Sequence, residues 1–332
     1  MSRLLASAVA TAIAISVWVD CAGAANNEPL ALESEIPLGN VRGRIDHLAV
    51  DLNRKRLFVA ELGNNSVSVV DLNGGKVAHR IVGLREPKGV GYVPSTDMLY
   101  VANAGDGSVR LFAGEDYAPA GQIDLGKDAD NIRVDFSTNL VLVGYGDGGI
   151  AIIDPLNRQK IGDIPLKVHP EGFQIARDAD QIFVNLTSAH SLAVIDRKSG
   201  REAASWAMTG ASGNFPMALD EVARRVLVVF RNPAKLRAFD MASGAGVADR
   251  ETCGDADDLF VDTARKRIYV SCGDGFIDVL DAQAPAYPRL ARIPTVRGAR
   301  TSLFIPAMDR LALAVRASGS EQAAIRIYRA LP

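Results

Sequence analysis

The stretch Leu99-Tyr100-Val101-Ala102-Asn103-Ala104-Gly105-Asp106-Gly107-Ser108-Val109-Arg110-Leu111-Phe112 sets an apolar run, a glycine-flanked aspartate and a second apolar run in immediate succession. An uncharged run of this kind needs cover on both faces, and Gly-Asp-Gly supplies the positive φ of a tight turn between two strands. The phrase recurs along the chain. Its first run reappears at 57–60, 141–144, 182–185, 226–229, 268–271 and 311–314, and its turn as Gly146-Asp147-Gly148 and Gly273-Asp274-Gly275. Aligning the residue that leads into the strand before each run gives His47, Gly89, Asn131, Gly172, Pro216, Asp258 and Ser302, at intervals of 42, 42, 41, 44, 42 and 44 residues. A repeat of that length is one propeller blade. The sequence therefore predicts an all-β fold, a seven-bladed β-propeller. The last repeat ends after its third strand, at Arg329-Ala330-Leu331-Pro332, whereas an unassigned strand at 30–36 precedes the first repeat. The N-terminal strand is expected to complete the last blade and remove an open seam.

Residues 1–24 read as a cleaved signal peptide, with Arg3 before an apolar run at 4–19 and a small-residue cleavage pattern at Ala22-Gly23-Ala24. That run is shorter than a spanning helix requires, so no membrane span is expected. Cys21 follows Asp20 rather than the small residue a lipoprotein signal needs, and is expected to leave with the signal. The remainder, 25–332, is about 308 residues or roughly 44 per blade, which leaves nothing for a second domain. The chain is expected to be a monomer located in the periplasm or secreted. With 37 basic residues, 39 acidic residues and no basic block, it carries no nucleic-acid footprint. In an oxidising compartment Cys253 and Cys272 point to a disulfide, the alternative being two free thiols beside a metal.

Tyr100-Val101-Ala102-Asn103, Tyr269-Val270-Ser271-Cys272 and Phe58-Val59-Ala60-Glu61, each followed by a turn and a further apolar strand, resemble the YVTN family of bacterial propeller repeats. Over all seven repeats the chain resembles the exported YncE-like proteins, although only the Asn103 repeat keeps the terminal asparagine. The resemblance implies a seven-bladed, periplasmic or surface-exposed propeller that acts as a binding or scaffold module.

In a four-stranded meander the loop leading into the first strand and the loop joining the second and third strands share one face. The innermost strand comes first, so the leading loops rim the central channel. The position before the aligned column reads Asp46, Lys88, Asp130, Glu171, Phe215, Asp257 and Thr301. Asp46, Asp130, Glu171 and Asp257 either hold a divalent cation such as Ca²⁺, Mg²⁺ or Mn²⁺ or shape turns by bonding local backbone. His47 and His169 map to the same rim as candidate ligands or bases. His190 maps near it and His79 to an outer strand. Asp46, His47, Lys88, Asp130, Asn131, His169, Glu171, Asp257, Asp258 and Arg300 form the candidate ligand-binding set, and Arg44 and Arg316 are further cations able to reach this side. Asp71, Asp154, Asp196, Asp240 and Asp281 close third strands and are expected to bond turn amides.

The chain has no Cys-x-x-Cys-His for covalent haem, no nucleotide-binding glycine motif and no nucleophile elbow. Tryptophan is confined to Trp18 and Trp206, so the quinone-dehydrogenase repeats are missing too. Noncovalent haem or copper stays open. The pattern favours an exported module that binds a small polar molecule, a cation or a protein partner at the channel mouth without turnover of its own. The alternative is a metal-dependent lactonase or lyase at the same mouth, with His47 or His169 moving a proton. A third reading, a protein-docking platform with no pocket, is favoured if the mouth is plugged by Phe215 and its neighbours.

Overall fold

In the computed structural model, which describes residues 28–332, the run Met98–Asn103 is buried at all six positions. Arg56–Glu61, Arg267–Cys272 and Arg310–Val315 are buried beyond their first residue. Only a sheet stacked between two others covers a strand on both faces in this way. The segment read as a signal peptide, with Cys21, lies outside the described residues.

The strands form seven antiparallel four-stranded sheets. The first six follow chain order and span 48–82, 87–124, 132–165, 173–207, 212–251 and 256–294; they are blades one to six. Their innermost strands are Leu48–Asp51, Pro87–Val93, Ile132–Asp135, Phe173–Ile175, Ser212–Asp220 and Ala256–Asp262. In blade seven Ser302–Ile305 is innermost, followed by Arg310–Val315 and Ala323–Ala330, and Leu30–Gly39 pairs outside the last of these. The register runs from Leu30 against Ala330 to Gly39 against Ala323, so the N-terminal strand does complete the final blade. Each innermost strand lies against those of the two adjacent blades, and Ser302–Ile305 returns to Leu48–Asp51. The ring is closed.

Seven apolar clusters fill the spaces between neighbouring blades. Phe58 packs with Val101 between blades one and two, Tyr100 with Val141 between two and three, and Tyr269 with Leu30 and Leu313 between six and seven. Outermost strands such as Arg201–Ala207 are largely exposed, as a sheet edge facing water must be. Asp71, Asp154, Asp196, Asp240 and Asp281 all accept backbone N–H groups of their own turns. Cys253 and Cys272 are disulfide-bonded with Cα atoms 5.8 Å apart.

Two glycines matter to the rim. A Cβ on Gly89 would lie 2.0 Å from the Asp130 carbonyl oxygen, and one on Gly172 would lie 2.5 Å from that of Phe215. Both stand in the aligned column, where adjacent blades converge and a side chain has no room.

Leu30 is fully buried in the seam, whereas Leu32 on the same strand is 54% exposed. Leu30→Ala is expected to lower unfolding free energy by about 2–5 kcal/mol in urea titration, while Leu32→Ala stays within ~0.5 kcal/mol. Equal effects would show that the strand does not close the ring. Reducing the Cys253–Cys272 bridge, which spans a sequence separation of 19, is expected to cost about 3 kcal/mol by the same measurement.

Candidate functional site: a charged cavity at the channel mouth

Where the innermost strands begin, the loops leading into them enclose a cavity of about 350 Å³. All ten residues of the predicted ligand-binding set line it, contributed by blades one, two, three, four, six and seven, together with Arg44, Asp128, Arg133, Gln174, Phe215 and Arg231. The mouth is not plugged: Phe215 lies on the wall, with the Arg231 guanidinium 4.1 Å from its ring centroid.

Backbone irregularities aim these side chains. The innermost strands of blades two, five and six carry register shifts at 87/90, 214/217 and 256/258, at the rim. Such bulges turn side chains out of strict alternation. Asp128 and Asp255, the first acids of the two matching Asp-Ala-Asp loops, adopt left-handed backbone with φ of 43° and 57°.

On one side, Lys88 Nζ lies 2.8 Å from Asp128 Oδ1 and 3.2 Å from Asp130 Oδ2. His169 Nδ1 is 2.7 Å from the Gly146 carbonyl oxygen, and its Nε2 is 3.5 Å from Asp130 Oδ2. A carbonyl only accepts, so Nδ1 carries a proton; facing a carboxylate, Nε2 carries one as well. Burial opposes this charge, yet the Asp130 contact and the Gly146 bond push the imidazole up to about 9. Burial likewise works against the Asp130 carboxylate, but His169, Lys88 and His47 hold it well below the usual range. His47 Nε2 stands between two acids, 3.7 Å from Asp46 and 3.9 Å from Asp130.

Across the channel, Arg231 donates to Asp257 at 2.5 Å and to the Ala256 carbonyl at 2.9 Å. Arg300 donates to Asp255 at 2.6 Å and lies 3.0 Å from Asp257. Asp46 is 2% exposed, and burial drives its carboxyl up to about 6 against the nearby His47 and Arg44. Arg44 Nη2 approaches Asp46 Oδ2 to 2.7 Å, but off the angle of a hydrogen bond. Burial also raises Glu171 and Asp258; Asp258 accepts the Ser302 N–H at 2.6 Å. Below, Arg133 donates to the carbonyls of Phe173 and Ile132, and burial lowers its guanidinium.

The predicted metal set does not come together as a ligand shell. Asp46 faces Arg44 and Asp257 faces two arginines, so these carboxylates are neutralised within the protein. Among the described residues, the group whose donor atoms lie within 4.8 Å of one another is Asp128, Asp130 and His169. A cation there would have to displace Lys88 and strip a proton from His169, so the group does not fit a metal as it stands. Of the two readings of the rim acids, turn-shaping is not what the geometry has: the side chains of Asp46, Asp130 and Asp257 reach cations, not backbone amides of their own turns. Glu61 and Asn103, leaving second strands, do satisfy local groups, Ser68 at 2.5 Å and the Val101 carbonyl at 3.1 Å. His190 caps a 3₁₀ turn with φ of 49°, and His79 packs on the Tyr117 ring; neither lines the cavity. Arg316 lies in a separate groove with Arg297.

Asp128, Arg133, Arg231 and Asp255 escaped the predicted set. Arg231 directly follows the apolar run at 226–229 and Phe230, and a charge at that place in a repeat is a usable signal. Asp128 and Asp255 lie two residues before chosen acids.

No protein-family model and no curated protein matches the chain. Among solved structures it is similar to hydrazine synthase from Kuenenia stuttgartiensis, with a TM-score of 0.75 and 18% sequence identity over 86% of this chain and 97% of that one. At that identity the likeness establishes the propeller fold.

His169 is expected to titrate near pH 9 by NMR, and Asp130→Asn to bring it down toward 6.5. Because folding raises this base above its ordinary 6.5, the stability it contributes is complete below pH 6.5 and is lost as pH rises through about 9. A wild-type value near 6.5 would remove the doubly protonated assignment.

Proposed function

We propose that the chain is an exported binding module of the YncE-like kind, which captures a small polar ligand in the cavity at its channel mouth. The observation that carries this reading is Asn131, 4% exposed on the cavity wall, whose Oδ1 has no hydrogen-bond partner among the described residues. A buried acceptor left empty costs about 1–3 kcal/mol, which a ligand donor recovers. Sites mounted on packed strands are already shaped before binding, and this cavity rests on the closed ring of innermost strands. Export is supported by the N-terminal sequence and by the disulfide, which suits an oxidising compartment. Among the described residues no helix is long and apolar enough to cross a membrane.

The cavity lining contains no serine, threonine, cysteine or tyrosine. Lys88 is tied as an ammonium and His169 as an imidazolium, so neither accepts a proton at neutral pH. A metal-dependent lactonase or lyase is the second reading; it requires a cation to displace Lys88 from Asp128 and Asp130 beside His169. It predicts stoichiometric metal in protein purified from its own compartment.

The test of the binding reading uses protein with labelled histidines, titrated with the ultrafiltered small-molecule fraction of the host compartment. The His47 and His169 signals are expected to shift saturably, and Asn131→Ala to weaken the effect roughly fivefold. Signals that stay fixed, or shift equally in the variant, would rule out a ligand at this mouth.

A further inference from the structure

Arginines in this chain commonly reach a carboxylate, as Arg54, Arg237, Arg292 and Arg310 do. Arg297 and Arg316 do not. Among the described residues neither side chain has a carboxylate within 4.0 Å or donates a hydrogen bond. Both line a groove of about 520 Å³ on the channel-mouth face, where blades six, seven and one meet. Arg297 precedes the innermost strand of blade seven, Arg316 follows its second strand, and Arg44, from the loop leading into blade one, lines the groove as a third cation. Arg44 approaches Asp46 without an aligned hydrogen bond, so its donors are uncommitted as well.

The two acids of the groove are engaged elsewhere. Asp255 accepts from Arg300 at 2.6 and 2.7 Å, and Asp274 folds back onto the Gly254 N–H at 3.1 Å. Glycine permits both turns, since a Cβ on Gly273 would overlap Asp255 Oδ2 and one on Gly254 would overlap Asp274 Oδ2. Arg316 is seated in the same manner. A Cβ on Gly298 would lie 2.5 Å from its Nη2 and 2.6 Å from its Nε, so the guanidinium rests on the backbone of the residue that directly follows Arg297. A guanidinium does not lose its proton, so cations gathered in this way are relieved only by an anion.

Independently of what the channel-mouth cavity takes, we infer that this groove is a second binding site, for a phosphate group, free or esterified to a small organic molecule, held by Arg297 and Arg316 with Arg44 as the third cation. A phosphate monoester brings three terminal oxygens and about two negative charges to one point, which suits adjacent guanidinium forks. A single carboxylate offers two oxygens and one charge, and a dicarboxylate spreads its charge over two separated groups, whereas Arg297 and Arg316 stand together.

The experiment is isothermal titration of the full exported protein, in phosphate-free buffer, with glycerol 3-phosphate, inorganic phosphate, succinate and glycerol. The expected result is saturable binding of glycerol 3-phosphate, about tenfold tighter than succinate, with no binding of glycerol. Arg297→Gln and Arg316→Lys each weaken it about fivefold or more, the lysine because it keeps the charge and loses the fork. Arg201→Gln, on an exposed outermost strand, stays within about twofold of the parent. Melting curves check that each variant folds. Inorganic phosphate bound as tightly as the ester assigns the site to the phosphate group alone, and a tighter ester assigns it to an esterified ligand; both support the inference. Succinate bound as tightly as the phosphates, affinity untouched by Arg297→Gln and Arg316→Lys, or equal loss in Arg201→Gln overturns it. Phosphate binding lost in Asn131→Ala but kept in Arg316→Lys places the anion in the channel-mouth cavity and overturns the groove assignment. Absence of binding by every probe overturns it too, and leaves the cavity reading to its own histidine test.

Discussion

The pairing of Leu30–Gly39 with Ala323–Ala330 is the contact on which the rest of the structure depends. Six blades fold from consecutive segments, but the seventh joins the two ends of the chain. Without it the stack would end in an unpaired edge, and the apolar faces of blades one and seven would lose their cover. Once the ring closes, the innermost strands converge so tightly that the Asp130 and Phe215 carbonyls press on Gly89 and Gly172. Crowding at the axis leaves the loops leading into those strands only one direction, toward the channel mouth.

That crowding explains the electrostatics. Charged side chains from all seven blades are brought into a space of about 350 Å³. Carboxyls that obtain a cation, such as Asp130, stay ionised, while burial drives Asp46, Glu171 and Asp258 toward their neutral forms. The same residue type thus behaves in two ways within one cavity: at Asp130 the bases His169, Lys88 and His47 outweigh burial, whereas at Asp46 burial outweighs His47 and Arg44. Bases reach across blades: Lys88 meets Asp130 over 42 residues, Arg231 meets Asp257 over 26 and Arg300 meets Asp255 over 45.

Much of this was legible in the chain. The uncharged runs at 99–102 and 268–270, the glycine turns and the even intervals of the aligned column specify blades because burial on two faces tolerates no charge. Alternation of loop direction then places Asp46, His47, Asp130, His169 and Asp257 on one face. Asp128 and Asp255 were missed because left-handed backbone at their loops lifts them into the cluster, and Arg231 because the 214/217 bulge in the paired strand alters which side chain faces the mouth. A repeat alignment assumes equal geometry in every blade, and bulges break that equality.

The amino-acid sequence by itself determined the number of blades, the strand that closes them, the turn-capping aspartates and the cysteine pair, since each follows from local periodicity or from spacing along the chain. Tertiary structure alone decided which acid meets which base, that His169 is held doubly protonated between Gly146 and Asp130, and that the Asn131 Oδ1 is left without a hydrogen-bond partner among the described residues. Those outcomes depend on distances of a few ångströms between residues of different blades, which are set by how closely the sheets pack and twist around the axis and leave no trace in the order of residues within any one repeat.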